Sequence, residues 1–205
     1  MKSEMTQRVT DRVIETCVRL AVVNLGRLFY RVRVEGLEHL PKEGGVVMVC
    51  NHVSYADTIP LTLASPRKLR FTSFEGLFSV PLLGTCLRAF GSIPVSPDRA
   101  KEALVRAADC AKSGECVLLF PEGKITLDGK LQEIKRGFEV IARRAEVPVV
   151  AVHLEGLWGS IFSNERGRFF FKWPQVWRRE VTLRFSRPLS AEEARPEVIR
   201  EALMS

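Results

Sequence analysis

Val46-Val47-Met48-Val49-Cys50-Asn51-His52-Val53-Ser54-Tyr55-Ala56-Asp57 is the stretch from which the rest of the chain is read. Its first five residues are apolar and mostly β-branched, the pattern of a strand buried on both faces. Thr58 to Ala64 follows with helical spacing. A His and an Asp, with four residues between them, therefore sit where a strand gives way to a helix. Imidazole titrates near neutrality and can take a proton from a hydroxyl. A nearby carboxylate can fix its tautomer and stabilise the imidazolium. A turn at this point brings the two side chains within reach. The same residues also admit a plainer arrangement, a satisfied His at a strand end with Asp57 as the helix cap.

Outward from this stretch, strands and helices alternate. Tyr30 to Glu35 alternates in polarity and predicts a strand with one buried face. Arg67 to Thr72, Gly91 to Val95, Cys116 to Phe120 and Pro148 to His153 read as further strands, and Glu180 to Phe185 as the last. Helices are expected from Pro97 to Lys112 and from Lys135 to Glu146, and Ser190-Ala191-Glu192-Glu193 reads as a capping box opening a terminal helix. This order predicts a single α/β domain with a mostly parallel central sheet flanked by helices. It spans residues 30–205, after an N-terminal amphipathic helix within residues 1–29. On that helix Arg8, Arg12, Arg19 and Arg27 share one face with Arg31 beyond, and Ile14, Cys17, Val18, Ala21, Leu25, Leu28 and Phe29 share the other. Such a helix can lie in a membrane interface or pack its apolar face on the core. Phe74 to Phe90 is apolar, broken at Pro81 and Gly84, and reads chiefly as core, with the wall of an acyl-chain groove as the other reading.

The chain has 205 residues, 31 Lys and Arg against 24 Asp and Glu, and a net charge of +7, which calls for an anionic partner. No stretch approaches the roughly 20 apolar residues of a membrane span, and no signal-peptide core is present. The expected location is cytoplasmic, peripheral on the inner face of the cell membrane. The five cysteines show no metal-ligand spacing and read as buried reduced thiols, so no metal is expected. Cys50 beside His52 is a candidate nucleophile, although an inward strand residue fits it better. Trp158 to Arg179 interleaves Trp158, Phe162, Phe169, Phe170, Phe171, Trp173 and Trp177 with Arg166, Arg168, Lys172, Arg178 and Arg179. Stacking on nucleic acid, a membrane-interface surface and a core-covering loop all have this composition.

A second block, Phe120-Pro121-Glu122-Gly123-Lys124, follows a buried strand. With Asn51-His52-x-x-x-x-Asp57 upstream, the pair resembles the glycerolipid acyltransferase family of the lysophosphatidic acid acyltransferase type, over about residues 30–190. The resemblance implies transfer of a fatty acyl group from acyl-CoA or acyl carrier protein to the free hydroxyl of a lysophospholipid, with no cofactor besides that co-substrate. His52 is then the base and Asp57 its partner. Asn51, Glu122, Gly123 and Lys124 are expected to bind substrate, with Glu122 either on the acceptor hydroxyl or bracing its loop. Two departures stand out. The family's Gly-x-x-Phe-[Ile/Val]-x-Arg block is here Gly91-Ser92-Ile93-Pro94-Val95-Ser96, so phosphate binding passes to Arg99 through a longer loop. The Val-Pro-x-x-Pro block ends in Ala151. Gly156 to Ser163 and Lys172-Trp173-Pro174 look like acyltransferase modules fused to acyl-carrier-protein synthetases, which makes lysophosphatidylethanolamine an acceptor beside 1-acylglycerol-3-phosphate. The expected partners are the donor, the lysophospholipid and an anionic membrane surface, and no nucleic acid. The alternative is a non-catalytic, basic lipid-binding protein of the same fold.

Overall fold

The structure is a computed structural model that describes residues 2–167, 169–170 and 176–204, with the side chains of 2–15 and of 166 outside that description. Its elements are α1 (Lys2–Phe29), β1 (Tyr30–Glu35), β2 (Val46–Cys50), α2 (Thr58–Ala64), β3 (Leu69–Phe74), α3 (Leu83–Ala89), β4 (Ile93–Val95), α4 (Ala100–Lys112), β5 (Cys116–Leu119), α5 (Gly137–Ala145), β6 (Val149–Glu155), β7 (Arg179–Phe185) and α6 (Pro196–Ala202). Short 3-10 turns link several of them. The strands form one sheet in the order β1-β7-β6-β2-β5-β3-β4. All pairs are parallel except β6 with β7, so β1 and β7 run against the other five.

Successive residues of a strand point to opposite faces, and β2 divides two cores in this way. Val47 and Val49 meet Val117, Leu119, Val149 and Ala151 on the face covered by α4, α5 and α6. Alanines at 103, 107, 108 and 111 give α4 a flat buried side there. Val46, Met48 and Cys50 lie on the other face with Leu118, Val150, Val152, Val181 and Leu183, beneath α1 and α2. The chain leaves β2 into α2 on this second face and leaves β5 into α5 on the first. The neighbouring ends of β2 and β5 thus form a switch point, the crevice where open α/β sheets bind ligands.

Several expectations need correction. Ser190 and Glu193 do exchange capping-box hydrogen bonds, at 2.9 and 3.3 Å, but they close a turn. The terminal helix begins only at Pro196, whose ring is tolerated at the first helical position. Helix α1 is phased differently from the expected division into basic and apolar faces. Val18, Val22 and buried Gly26 face the domain, and a side chain on Gly26 would run into Ile59 and Leu63 of α2. Arg19, placed on the basic face by the sequence, lies 5.8 Å over the Phe90 ring. Leu20, Leu25, Leu28 and Phe29 are exposed, Leu28 at 59%. The expected positions of Arg8, Arg12 and Ile14 fall on side chains outside the described residues. The stretch from Phe74 to Phe90 is not ordinary core either, because Phe74, Val80, Leu82 and Leu83 are exposed, Leu82 at 82%. Of the cysteines, Cys50 and Cys116 are buried, Cys86 and Cys110 are half-buried, and Cys17 is exposed. Along β1 the expected buried face is held by Tyr30 and fades outward to exposed Val34, as befits an edge strand.

Candidate active site

Two loops leave the switch point side by side, one after β2 and one after β5. Their strands are in parallel register, with Val49 opposite Leu119, so His52 and Glu122 stand three residues beyond that pair on either side. Asn51 extends the pairing on the other flank. Its Oδ1 accepts from the Leu154 amide at 2.7 Å and its Nδ2 donates to the Leu154 carbonyl at 2.9 Å. The side chain copies a peptide group and holds the first residue of the turn against β6.

Asp57 occupies the N-cap position of α2 but caps nothing with its side chain. The carboxylate turns back on its own turn and is fully buried. Oδ2 lies 2.8 Å from His52 Nδ1 and accepts from the amides of Val53 at 2.8 Å and Ser54 at 3.1 Å. Oδ1 accepts from Ser54 Oγ at 2.8 Å. These donors satisfy a buried carboxylate that would otherwise be costly, and they fix it for one neighbour, the imidazole. With Nδ1 tied to Asp57, Nε2 is the basic atom left for substrate. The ring stacks on Phe120 with centroids 3.9 Å apart and planes at 11°, and its side chain is 19% exposed. His52 is thus locked on one edge by a carboxylate and on one face by an aromatic ring.

Glu122 is buried beneath this arrangement. Oε1 accepts from the His52 amide at 2.7 Å and Oε2 from the Gln132 amide at 2.7 Å. Its carboxylate joins the two loops, which is the bracing role of the two weighed from the sequence. Burial raises its pKa, against the two amide hydrogen bonds that lower it. The Thr126 amide donates to the His52 carbonyl at 2.9 Å, closing the second loop over the first. Gly123 has φ of 70°, a left-handed conformation that suits glycine. Lys124 beside it is exposed.

The structure therefore brings Asn51, His52, Asp57, Glu122, Gly123 and Lys124 together, with two kinds of role. His52 offers a basic nitrogen and Lys124 an exposed charge, while Asn51, Asp57 and Glu122 position. It does not bring Arg99 to them. Arg99 follows β4, which is separated from β2 by β5 and β3. At about 4.8 Å per strand, that is roughly 14 Å along the sheet. Its guanidinium pairs with Glu102 at 3.0 Å and Glu75 at 3.4 Å. Cys50 is no nucleophile. It is fully buried on β2, and burial, then Asp57 and Glu122, push its thiol pKa well up.

The structure adds residues to which the sequence reading gave no role. Ser54 fixes Asp57, Phe120 carries the imidazole, and Gln132 holds Glu122. Ser54 lies inside the quoted block, and a Ser three residues before a buried Asp is a local signal for such a bond. Gln132 carries no such signal, because ten residues of loop separate it from Glu122. The aromatic segment also reaches the site. Ser54 bridges Ser163, the Tyr55 amide donates to the Phe162 carbonyl at 3.1 Å, and Tyr55 packs on Phe169 and Phe170. Phe171, Lys172, Trp173 and Pro174 lie outside the described residues, as does Arg168.

Comparison with known proteins gives a consistent picture. The family model described as Acyltransferase matches residues 31–155. A chloroplastic 1-acyl-sn-glycerol-3-phosphate acyltransferase of Arabidopsis thaliana is 34% identical over 132 residues, 62% of this chain and 37% of that protein. The 1-acyl-sn-glycerol-3-phosphate acyltransferase of Bacillus subtilis is 28% identical over 127 residues, 61% of this chain and 63% of that one. Among solved structures, the 1-acyl-sn-glycerophosphate acyltransferase PlsC of Thermotoga maritima superposes with a TM-score of 0.67 at 27% identity, covering 93% of this chain and 76% of that one. The matched region is only 37 to 42% of the length of the plant and algal relatives.

Proposed function

This chain belongs to the acyltransferase family, and from that membership and the geometry of its site we propose that it moves a fatty acyl group from a thioester to the free hydroxyl of a lysophospholipid. The observation that carries the reading is the 2.8 Å contact between His52 Nδ1 and a buried, fully hydrogen-bonded Asp57. Nε2 accepts the hydroxyl proton as the oxygen attacks the thioester carbonyl. The carbon–sulfur bond of the tetrahedral intermediate then breaks, and the imidazolium returns the proton to the departing thiolate. A thioester is already activated, so no acyl-enzyme is needed.

The acceptor is 1-acylglycerol-3-phosphate, the substrate class named for the curated relatives, with lysophosphatidylethanolamine as the competing head group. The donor is acyl-CoA or acyl carrier protein. Among the described residues no helix is long and apolar enough to cross a membrane. The exposed apolar row on α1, with Arg27 beside it and Trp177 against Phe29 at 5.7 Å, suits an anionic leaflet such as the inner face of the cell membrane.

Thiol release and product mass spectrometry test this with each donor and 1-acylglycerol-3-phosphate. Diacyl product from the parent is expected, with a loss of about 10²–10⁴-fold in His52→Ala. Binding of the lysophospholipid without any thiol release would replace the enzyme by a lipid-binding protein of the same fold. A folded His52→Ala variant with parental turnover would remove the proposed base.

A further inference from the structure

Lys135 ends the loop that leaves β5, eleven residues after Lys124. The loop is tied at its neck. The Lys135 amide donates to the Pro121 carbonyl at 2.9 Å, and the Gln132 amide reaches Glu122. This closure returns the Lys135 side chain across Gly123. A Cβ on Gly123 would lie 2.8 Å from Lys135 Nζ and 3.4 Å from its Cδ and Cε, so the ammonium and its stem occupy the space that the glycine leaves open. Among the described residues, neither Lys135 nor Lys124 has a carboxylate within ion-pair distance. The adjacent cation is otherwise engaged: Arg136 binds Glu139 at 2.9 Å. Two lysines therefore adjoin Gly123, Lys124 as the next residue and Lys135 through its ammonium, one residue from the carboxylate that holds the His52 amide.

We propose that Lys124 and Lys135 form a two-ammonium clamp for a phosphate monoester, and that Lys135 makes the site select 1-acylglycerol-3-phosphate over lysophospholipids whose phosphate is a diester. The clamp rests on the acceptor reading given above and supplies the head-group choice that reading leaves open. A monoester carries about −1.5 to −2 charges at neutral pH, with a second ionisation near pH 6. A diester carries a single charge at any physiological pH. Two ammonium groups compensate the first and exceed the charge of the second by one.

The test compares Lys135→Gln, Lys135→Arg and the control Lys130→Gln, an exposed charge change within the same loop, with folding checked by thermal melts. The parent should prefer 1-acylglycerol-3-phosphate to lysophosphatidylethanolamine. Lys135→Gln should raise the KM for 1-acylglycerol-3-phosphate roughly tenfold or more, the loss of one hydrogen bond to a charged group. It should leave the KM for the donor thioester within about twofold and reduce the preference between acceptors. Lys135→Arg should keep most of the preference, and Lys130→Gln all of it. An unchanged acceptor KM in Lys135→Gln overturns the clamp. So does a rise confined to the donor KM, which would place Lys135 on the phosphates of CoA, and so does an equal loss in Lys130→Gln. If the parent acylates neither lysophospholipid, the acyl-transfer reading fails by itself, and glycerol 3-phosphate titrated into parent and Lys135→Gln by calorimetry decides the clamp. Binding that weakens with the substitution keeps it, and equal binding removes it.

Discussion

The turn from Asn51 to Asp57 and the helix α1 solve opposite problems with neighbouring stretches of one chain. In the turn, buried polar atoms find partners within a few residues or on the adjoining strand β6. Along α1, a row of large apolar side chains is left outside although other apolar residues of the same helix pack on α2 and the core. A buried carboxylate without its donors would cost several kcal/mol, so the turn is held in one arrangement. An exposed leucine carries no such penalty, and α1 keeps its place through Val18, Val22 and Gly26 on the domain side. The turn is shaped for chemistry at one atom and the helix for contact over an area.

The largest expected break in that contrast comes from Asp57→Asn. The amide oxygen must take the Oδ2 place, facing His52 Nδ1 and two backbone amides, and the nitrogen then faces Ser54 Oγ, a hydroxyl that can turn to accept. Loss of the charge that favours imidazolium should lower kcat by about 10³–10⁴-fold, the scale seen when the carboxylate of an Asp–His pair becomes an amide. Steady-state kinetics on a variant whose circular dichroism matches the parent checks it. A kcat within tenfold of the parent would make the turn a structural corner and remove it from the chemistry.

Glu122→Gln should act on stability more than on catalysis. Glutamine keeps one acceptor oxygen, so either the His52 amide or the Gln132 amide loses its partner. Leaving one buried amide unsatisfied costs about 1–3 kcal/mol, readable in urea unfolding. The pH dependence has a definite sign. Burial raises the Glu122 pKa in the folded state above its ordinary 4.5, so the folded protein holds this proton more tightly than the unfolded chain. The contribution is fully present below 4.5 and is lost as pH rises through the folded value. The stability gap between parent and Glu122→Gln should therefore shrink from pH 4 toward pH 7, and a gap that widens would contradict the burial reading.

The difference between the two regions also explains what could be read without coordinates. Strand β2, helix α2 and the His52–Asp57 pair were legible because each is decided within a dozen residues: an apolar run, a helical period, a turn. The parallel sheet followed from alternating elements. The role of Glu122 was only half legible, since its partners come from β2's loop and from ten residues downstream. Arg99 was carried to the site by analogy of order, whereas strand order puts it at the sheet edge. The phase of α1 was illegible for a different reason. Its apolar residues cover more than one side, and which of them turn inward depends on Gly26, where α2 can approach closely only without a side chain. Periodicity gives a helix but not its neighbour.

The smallest expected effect lies on that outward row, and it can separate the two forces proposed to hold the protein at a lipid surface. Leu28 is exposed and Phe29 stands against Trp177, so removing one leucine leaves the rest of the patch in place. Full burial of a leucine is worth about 1.5–3 kcal/mol, and partial insertion among head groups about half of that. Leu28→Ser should therefore weaken binding to anionic vesicles roughly fivefold, equally at low and high salt, while changing folding stability by less than about 0.5 kcal/mol. Arg27→Gln should cost about 1 kcal/mol on the same vesicles, a similar factor, but its loss should fade as salt screens the lipid charge. Arg19→Gln belongs to the other class, because its guanidinium lies over Phe90, and it should lower the melting temperature with little effect on sedimentation. Vesicle co-sedimentation of the three variants at two salt concentrations reads all of this. If Leu28→Ser sediments like the parent while Arg19→Gln does not, the face of α1 that meets lipid is the one packed on the domain here, and the contrast drawn between turn and helix fails at the helix.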